Sequence, residues 1–436
     1  MTHASGSRYN ARSLSAGSPM RALAVLCFLV WNTPALAGTG RAEELFANSA
    51  AAVVQIRVID QASGDKSSIG SGFQVGRDGL FATNFHVVSE FAHKPQRYHL
   101  EYLGRDGVAV PLKLVDIDVI HDLALLQAPA ALPATLPLAD VALAQGERVY
   151  SMGNPLDLAM TIIEGTYNGY VSAARYRKIL FSASLNPGMS GGPALNDAGE
   201  LVGVNVARGG EQISFLVPVE YLQALLTRRT DARRQALDMH QRIAEALLDD
   251  QDQYFGELLA APWVSQPFGE FRVPGRLSST LKCWGGSSDD ESYRFEHVRQ
   301  QCSSQDSIFI EDSFETGNLQ YAFNFFSSEE LNRVQFYGLL AAHYQHDQAF
   351  NANDKEQVGN FRCREEFVRG KGLEWRISFC ARRYQQYAGL YDVSVAMVSR
   401  ELPGRGLVVN LAIDGISETR ALVLLRRFVE TIEWTP

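Results

Sequence analysis

Between Ala51 and about Leu225 the apolar residues fall in short runs rather than in helical stripes. The runs Val53 to Val58, Gly72 to Val75, Tyr98 to Tyr102, Val108 to Val115, Leu123 to Leu126, Glu147 to Tyr150, Thr161 to Ile163 and Leu201 to Val206 read as strands. Turn chemistry such as Gly76-Arg77-Asp78-Gly79 and Asn196-Asp197-Ala198-Gly199 separates them. Many short strands with no long helix between them predict a sandwich or a barrel. The period then changes. Glu220 to Leu226 opens a closing helix, and Thr230 to about Ala261 reads as a second, longer one. In it Leu237, Ile243, Leu247, Leu248, Phe255, Leu258 and Leu259 recur at near-helical spacing. That helix is expected to be a connector packed on one domain.

Pro262 and Pro267 mark a boundary. Beyond it, strand-like runs at Ser307 to Glu311, Leu319 to Phe326, Trp375 to Phe379, Val393 to Val398 and Leu407 to Ile413 accompany helix-like segments at Glu329 to His343 and Glu418 to Val429. This region reads as α+β. The expected organisation is a signal peptide over 1–37, a β-domain over 38–228, a helical connector over 229–262 and an α+β domain of unknown role over 263–436.

Composition suits this picture. The chain has 436 residues, 46% hydrophobic and 20% charged, enough for two cores. A net charge of −9 argues against nucleic acid or an anionic membrane surface as partner. Arg8, Arg12 and Arg21 precede an apolar run from Ala22 to Trp31, and Ala35-Leu36-Ala37 fits a cleavage site, so export to the periplasm or outside is expected. That run is too short for a membrane anchor. Translation from Met20 would give a signal of ordinary length. Removing residues 1–37 takes away three arginines and no acids, and deepens the charge to −12. Beyond Cys27 four cysteines remain, an even count that suggests two disulfides in an exported chain. The simplest pairing is Cys283–Cys302 and Cys363–Cys380, although four cysteines allow three connectivities. No close Cys-x-x-Cys or paired-histidine spacing supports a metal site.

Candidate chemistry lies in the β-rich part. A serine hydroxyl becomes a nucleophile only with a neighbouring base and donors for the developing oxyanion. Asn186-Pro187-Gly188-Met189-Ser190-Gly191-Gly192-Pro193 sets Ser190 among glycines that let the amides of Gly188 and Ser190 converge. His86 ends an apolar run as candidate base, and Asp122, opening the run Leu123 to Leu126, is the candidate to orient it. Asp116, Asp118 and His121 stand nearby as alternatives. Taken singly, each residue also has a bland reading: a half-buried histidine, a loop-to-strand cap, a serine in a glycine turn. No step of this chemistry needs a metal or an organic cofactor.

Six blocks in order carry a resemblance over roughly residues 45 to 228. They are Gly70-Ser71-Gly72-Phe73, Thr83 to Val88, Asp122 to Leu126, Gly153-Asn154-Pro155, Asn186 to Pro193 and Leu201 to Asn205. The chain resembles the trypsin-like serine endopeptidases, in particular the bacterial HtrA (Deg-like) branch, without a recognisable PDZ domain. The resemblance implies an all-β double antiparallel barrel of the chymotrypsin type, with His86 and Asp122 from the first barrel and Ser190 from the second. It implies protein or peptide substrates, protein quality control and a possible homo-oligomer. By the same carry-over, Ser184 stands where trypsin-type enzymes hold an aspartate. With Leu185 and Leu216 it implies an uncharged pocket for small or aliphatic side chains, while Val206, Ala207 and Arg208 would pair with the substrate backbone. Met189 departs from the family, whose members carry an aspartate or asparagine there. A weakly active, chaperone-like binding protein is therefore the competing reading, and esterase or acyltransferase chemistry at the same residues a third. The C-terminal region is left as a site for a regulator or substrate.

Overall fold

The computed structural model describes residues 40–435 apart from 211, 289–293, 347–349 and 351–353, and the backbone alone at 207–210. The expected signal peptide lies outside the described residues. A helix, α1 (Arg41–Ser49), leads into the first barrel. Its strands are β1 (Val53–Asp60), β2 (Lys66–Gln74), β3 (Leu80–Thr83), β4 (Tyr98–Leu103), β5 (Ala109–Asp118) and β6 (Leu123–Gln127), closed in the order β1-β2-β3-β6-β5-β4. Helix α2 (Phe85–His93) interrupts it after β3. The second barrel holds β7 (Arg148–Gly153), β8 (Thr161–Tyr170), β9 (Ile179–Phe181), β10 (Pro193–Leu195), β11 (Leu201–Gly210) and β12 (Ile213–Pro218), closed in the order β10-β11-β12-β9-β8-β7.

Successive side chains of a strand point to opposite faces, and here both faces are often apolar. Ala124 and Leu126 enter the first barrel's core, while Leu123 and Leu125 join a layer between the barrels. In the second barrel Ala194, Val202 and Leu216 point inward, and Leu195, Leu201 and Val217 point to the same shared layer. The apolar run Leu123 to Leu126 thus arises from a two-sided burial. Helix α3 (Val219–Arg228) closes the layer with Leu222 and Leu225.

The single helix expected over 230–261 is broken. A short α4 (Ala232–Gln235) precedes α5 (Met239–Ala260), because Asp238 caps α5 and forms a reciprocal pair with Gln241. Nor does α5 rest on one domain. Its Ile243 and Leu247 enter the first barrel's core, and its Phe255 and Leu258 enter the C-terminal core.

The C-terminal region continues with β13 (Ser265–Phe268), β14 (Phe271–Pro274), β15 (Leu281–Ser288), β16 (Glu296–Ser304), β17 (Ile308–Glu311), β18 (Phe314–Thr316), β19 (Leu319–Ser327), α6 (Arg333–His343), β20 (Arg362–Gly370), β21 (Leu373–Arg383), β22 (Leu390–Ser399), β23 (Arg405–Ser417), α7 (Glu418–Thr431) and β24 (Glu433–Trp434). Seven of these strands form one antiparallel sheet in the order β15-β16-β19-β23-β22-β21-β20. The disulfides are Cys283–Cys302 and Cys363–Cys380, each between directly opposed residues of an edge pair. Each thus ties an edge strand to its neighbour, at the place where a sheet is open to fraying or mispairing. The hairpin β17–β18 leaves this sheet, and Ile308, Ile310 and Phe314 enter the first barrel's core. Everything from Gly40 onward packs as one unit.

A buried charge cluster fastens the connector to the first barrel. Asp116, 1% exposed, accepts from Arg234 Nε at 2.9 Å and from Arg242 Nη1 at 3.1 Å, and Arg242 also donates to the Val115 carbonyl at 2.8 Å. Removing one member of a buried pair leaves an uncompensated charge, so Asp116→Ala should lower stability by about 3–5 kcal/mol. The exposed Arg426–Glu430 pair offers a control, and Arg426→Ala should cost at most about 1 kcal/mol. Urea unfolding followed by tryptophan fluorescence measures both; equal midpoints for the two variants would refute the assignment.

Candidate active site

His86 lies in the first turn of α2, where backbone N–H groups have no partner within the helix. Asp122 fills that gap from the neighbouring β5–β6 turn. One carboxylate oxygen accepts the His86 amide at 2.8 Å, and the other lies 2.7 Å from ring Nδ1. Asn84, the residue before α2, donates from its side chain to the Asp122 carbonyl at 2.8 Å. The turn places Asp122 at φ +56°, a left-handed conformation that aspartate tolerates better than most residues. The carboxylate therefore fixes helix end and ring together. With Nδ1–H donated to Asp122, Nε2 of the neutral ring is left as the acceptor.

The alternatives are engaged elsewhere. Asp118 binds His121 Nδ1 at 2.9 Å and Arg228 at 2.7 Å, and Asp116 belongs to the connector cluster. Burial alone would push the His86 pKa down. The Asp122 carboxylate outweighs it and holds the pKa above the ordinary histidine value, with Asp312 of the C-terminal region adding to the effect. Asp122 is thus the one of the candidate acids that meets His86.

Ser190 sits in a loop held from three sides. Met189 N–H donates to the Asn186 carbonyl and Gly192 N–H to the Met189 carbonyl, both at 3.0 Å. Ser71 in β2 donates its amide to the Ser190 carbonyl and its hydroxyl to the Gly188 carbonyl, both at 2.7 Å. Leu156 N–H donates to the Pro187 carbonyl at 2.8 Å, which turns the Gly188 N–H of the same planar peptide the opposite way. Neither Gly188 N–H nor Ser190 N–H has an acceptor among the described residues. Two positions need glycine. Gly188 has φ +92°, and a Cβ there would lie 2.4 Å from the Asn154 carbonyl oxygen; Gly191 has φ +82°, with Thr83 Oγ1 at 2.2 Å. Met189 is fully buried in the second barrel's core, so packing occupies the place of the family's acidic or amide side chain.

The Ser190 hydroxyl donates to the Val206 carbonyl at 3.2 Å, not to His86. Val206, His86 and Asp122 line one recess of about 400 Å³. Of the residues expected in a specificity pocket, Ser184 accepts from Gln212 N–H at 3.1 Å, whereas Leu185 and Leu216 are buried in the second barrel's core. The Ala207 and Arg208 side chains lie outside the described residues; their backbones pair with Phe215 and Ser214 of β12. Sequence reasoning missed Phe309, whose ring stands edge-on to His86 at 6.0 Å, and Asp312. No local signal marks either, since both reach the site through the packing of the C-terminal hairpin.

Comparison with known proteins agrees with this architecture. Residues 70–204 match the model of the trypsin-like peptidase domain. The part of the chain that the match covers is a trypsin-like peptidase domain. The chain is 33% identical over 177 residues to the mitochondrial serine protease HTRA2 of Drosophila pseudoobscura pseudoobscura, and equally to that of Drosophila persimilis. Those alignments cover 38% of this chain and 40% of each relative, so the likeness spans two fifths of the relatives' length. A serine endoprotease structure from Yersinia pestis is 26% identical, covering 45% of this chain and 68% of that one, with a TM-score of 0.39. Over the aligned residues the chain is similar to HtrA-type serine proteases of the trypsin-like family.

The His86–Asp122 contact has a measurable consequence. A pKa raised in the fold means that this pair stabilises the protein below the ordinary histidine value, about 6.5, and that the contribution fades as pH rises through the elevated pKa. Asp122→Asn should bring the His86 titration down, as followed by NMR of the imidazole signals. An unchanged midpoint would mean that Asp122 does not set it.

Proposed function

We propose that this protein is an exported serine endopeptidase acting through His86, Asp122 and Ser190. The observation that carries the reading is the Asp122 carboxylate engaging both the His86 amide and ring, while two unpartnered amides flank Ser190. In the proposed cycle His86 Nε2 takes the Ser190 proton as Oγ attacks the scissile carbonyl. The amides of Gly188 and Ser190 receive the oxyanion. The imidazolium, steadied by Asp122, returns the proton to the leaving amine, and the acyl-enzyme forms. Water, deprotonated by His86, then releases the acid and regenerates the Ser190 hydroxyl. The hydroxyl bonded to the Val206 carbonyl would turn to His86 when substrate arrives, since catalytic hydrogen bonds often tighten only in the complex.

The two disulfides are consistent with a periplasmic or extracellular setting, and among the described residues no helix is long and apolar enough to cross a membrane. By likeness to the HtrA-type relatives, the substrate class would be unfolded or misassembled envelope proteins. Ser184, an uncharged residue in the pocket position, supports cleavage after small or aliphatic residues. The resting bond of Ser190 to Val206 is the feature that favours the weakly active, chaperone-like alternative.

A fluorophosphonate should label the wild-type chain and not Ser190→Ala; a folded but unreactive wild type would favour the binding protein. Because the base must be neutral, kcat/KM should rise with pH on an acid limb whose midpoint lies above about 6.5. In a library varied at the residue on the acyl side of the cut (P1), alanine and valine should exceed lysine by tenfold or more, about 1.4 kcal/mol, because a lysine charge there would have no partner. Preferred cleavage after lysine or arginine would refute the pocket assignment.

A further inference from the structure

The recess beside His86 has walls from three parts of the chain. Tyr176 and Val206 come from the second barrel, His86 and Asp122 from the first, and Phe309 and Asp312 from the C-terminal hairpin. We propose that this recess is a substrate subsite for a lysine or arginine side chain, with Phe309 carrying the methylene stem and Asp312 meeting the charge. The proposal rests on the protease reading and names the specificity of the same site.

Strand topology fixes what reaches the recess. β11 pairs with β10 only as far as Val204, whereas its pairing with β12 continues to Gly210. From Val206 onward one flank of β11 is therefore open to an added strand from an extended peptide. Side chains of such a strand alternate between faces. With the P1 side chain directed toward Ser184, the preceding residue, P2, turns the other way, to the face that His86 and the recess occupy.

Charge decides what is held there. The cations at the rim are already engaged: Lys178 lies 2.7 Å from Asp306, and Arg177 lies 3.6 Å from Glu220 with its guanidinium 4.0 Å from the Tyr170 ring. Asp122 is committed to His86. Asp312 has no ion-pair partner among the described residues, and it acts on the His86 charge from the recess wall. Phe309 is half-buried, offering apolar surface along which a long basic side chain can lie with its charged end in water. The hairpin is preorganised rather than loose. Ile308 and Ile310 are buried in the first barrel's core, Asp306 accepts from Arg175 N–H at 2.7 Å, and Thr316 meets the Tyr384 hydroxyl at 2.7 Å. Little ordering cost remains to be met on binding.

The test uses fluorescent peptides identical except at P2, which carries lysine, norleucine or glutamate, bound to the full-length Ser190→Ala chain and read by anisotropy. Lysine should bind about fivefold more tightly than norleucine, as one exposed ion pair allows, with glutamate weakest and the lysine advantage shrinking in high salt. Asp312→Asn in that background should abolish the lysine advantage, and Phe309→Ala should weaken lysine and norleucine alike, with circular dichroism confirming both folds. Equal affinities for the three peptides, no binding of any, or a lysine advantage that survives Asp312→Asn would overturn the proposal. Cleavage of the same peptides by the wild type separates the two readings. A lysine advantage in binding without turnover would sink the protease reading alone, and turnover blind to P2 would sink the subsite alone.

Discussion

The candidate site depends on one buried serine other than the proposed nucleophile. Ser71, fully buried in β2 of the first barrel, gives its amide to the Ser190 carbonyl and its hydroxyl to the Gly188 carbonyl, and accepts from Asn154 N–H at 2.9 Å. One residue thus binds the loop that carries Ser190 at two points and the turn after β7 at a third. A carbonyl held in place fixes the plane of its peptide, and so the direction of the next amide. Ser71 thereby holds the carbonyls of Gly188 and Ser190. The amides of Gly188 and Ser190 are turned by the carbonyls of their own peptides, Pro187 held by Leu156 N–H and Met189 held by Gly192 N–H. Since β2 also packs into the layer shared by the barrels, the same contact sets how the two halves of the site face each other.

Several of these features were legible in the chain itself. Asp122 could be chosen over Asp116, Asp118 and His121 because it directly precedes a run that is apolar at every position, and the structure gives that run two buried faces. The cysteine pairing followed from the simplest short-range closure and recurs as two cross-strand bridges. The strands that carry those cysteines were not legible. β20 is exposed along its whole length and β15 along much of it, so neither shows the alternation that marks a half-buried strand. His86 read as the close of a strand because Phe85, Val87 and Val88 are all buried, and a helix enclosed on most sides has no polar face to betray its period. The break at Asp238 was written in its capping pair with Gln241, a local signal outweighed by the longer periodic pattern around it.

Long-range packing supplies what no local pattern could. Arg175, on the second barrel, donates its amide to Asp306, places its guanidinium 3.9 Å from the Tyr254 ring and pairs with Asp250 of α5. With α5 shared by two cores and the β17–β18 hairpin sunk into the first barrel, the C-terminal region is packed against the double barrel rather than held as a module on a tether. The cleft wall opposite Val206 is thereby made from residues that follow the peptidase domain in sequence. A domain attached in this way influences the site through fixed geometry, not through capture and release.

Met189 shows how the same problem can be solved without charge. An acidic side chain at this position can order a nucleophile loop only while its ion pair lasts, so loop order follows ionic strength and the titration of both partners. A methionine buried in the second barrel's core has no such dependence; its contribution comes from apolar area withdrawn from water. The Met189 carbonyl is meanwhile held by the Asn205 side chain at 3.2 Å and by Gly192 N–H at 3.0 Å, so both the side chain and the backbone of this residue are fixed from the barrel side. Among the described residues, that leaves the amides of Gly188 and Ser190 without an acceptor on the open side of the loop, beside the Ser190 hydroxyl on the Val206 carbonyl. In the proposed cycle the Ser190 hydroxyl turns away from the Val206 carbonyl, a side-chain movement far smaller than the reordering of a loop.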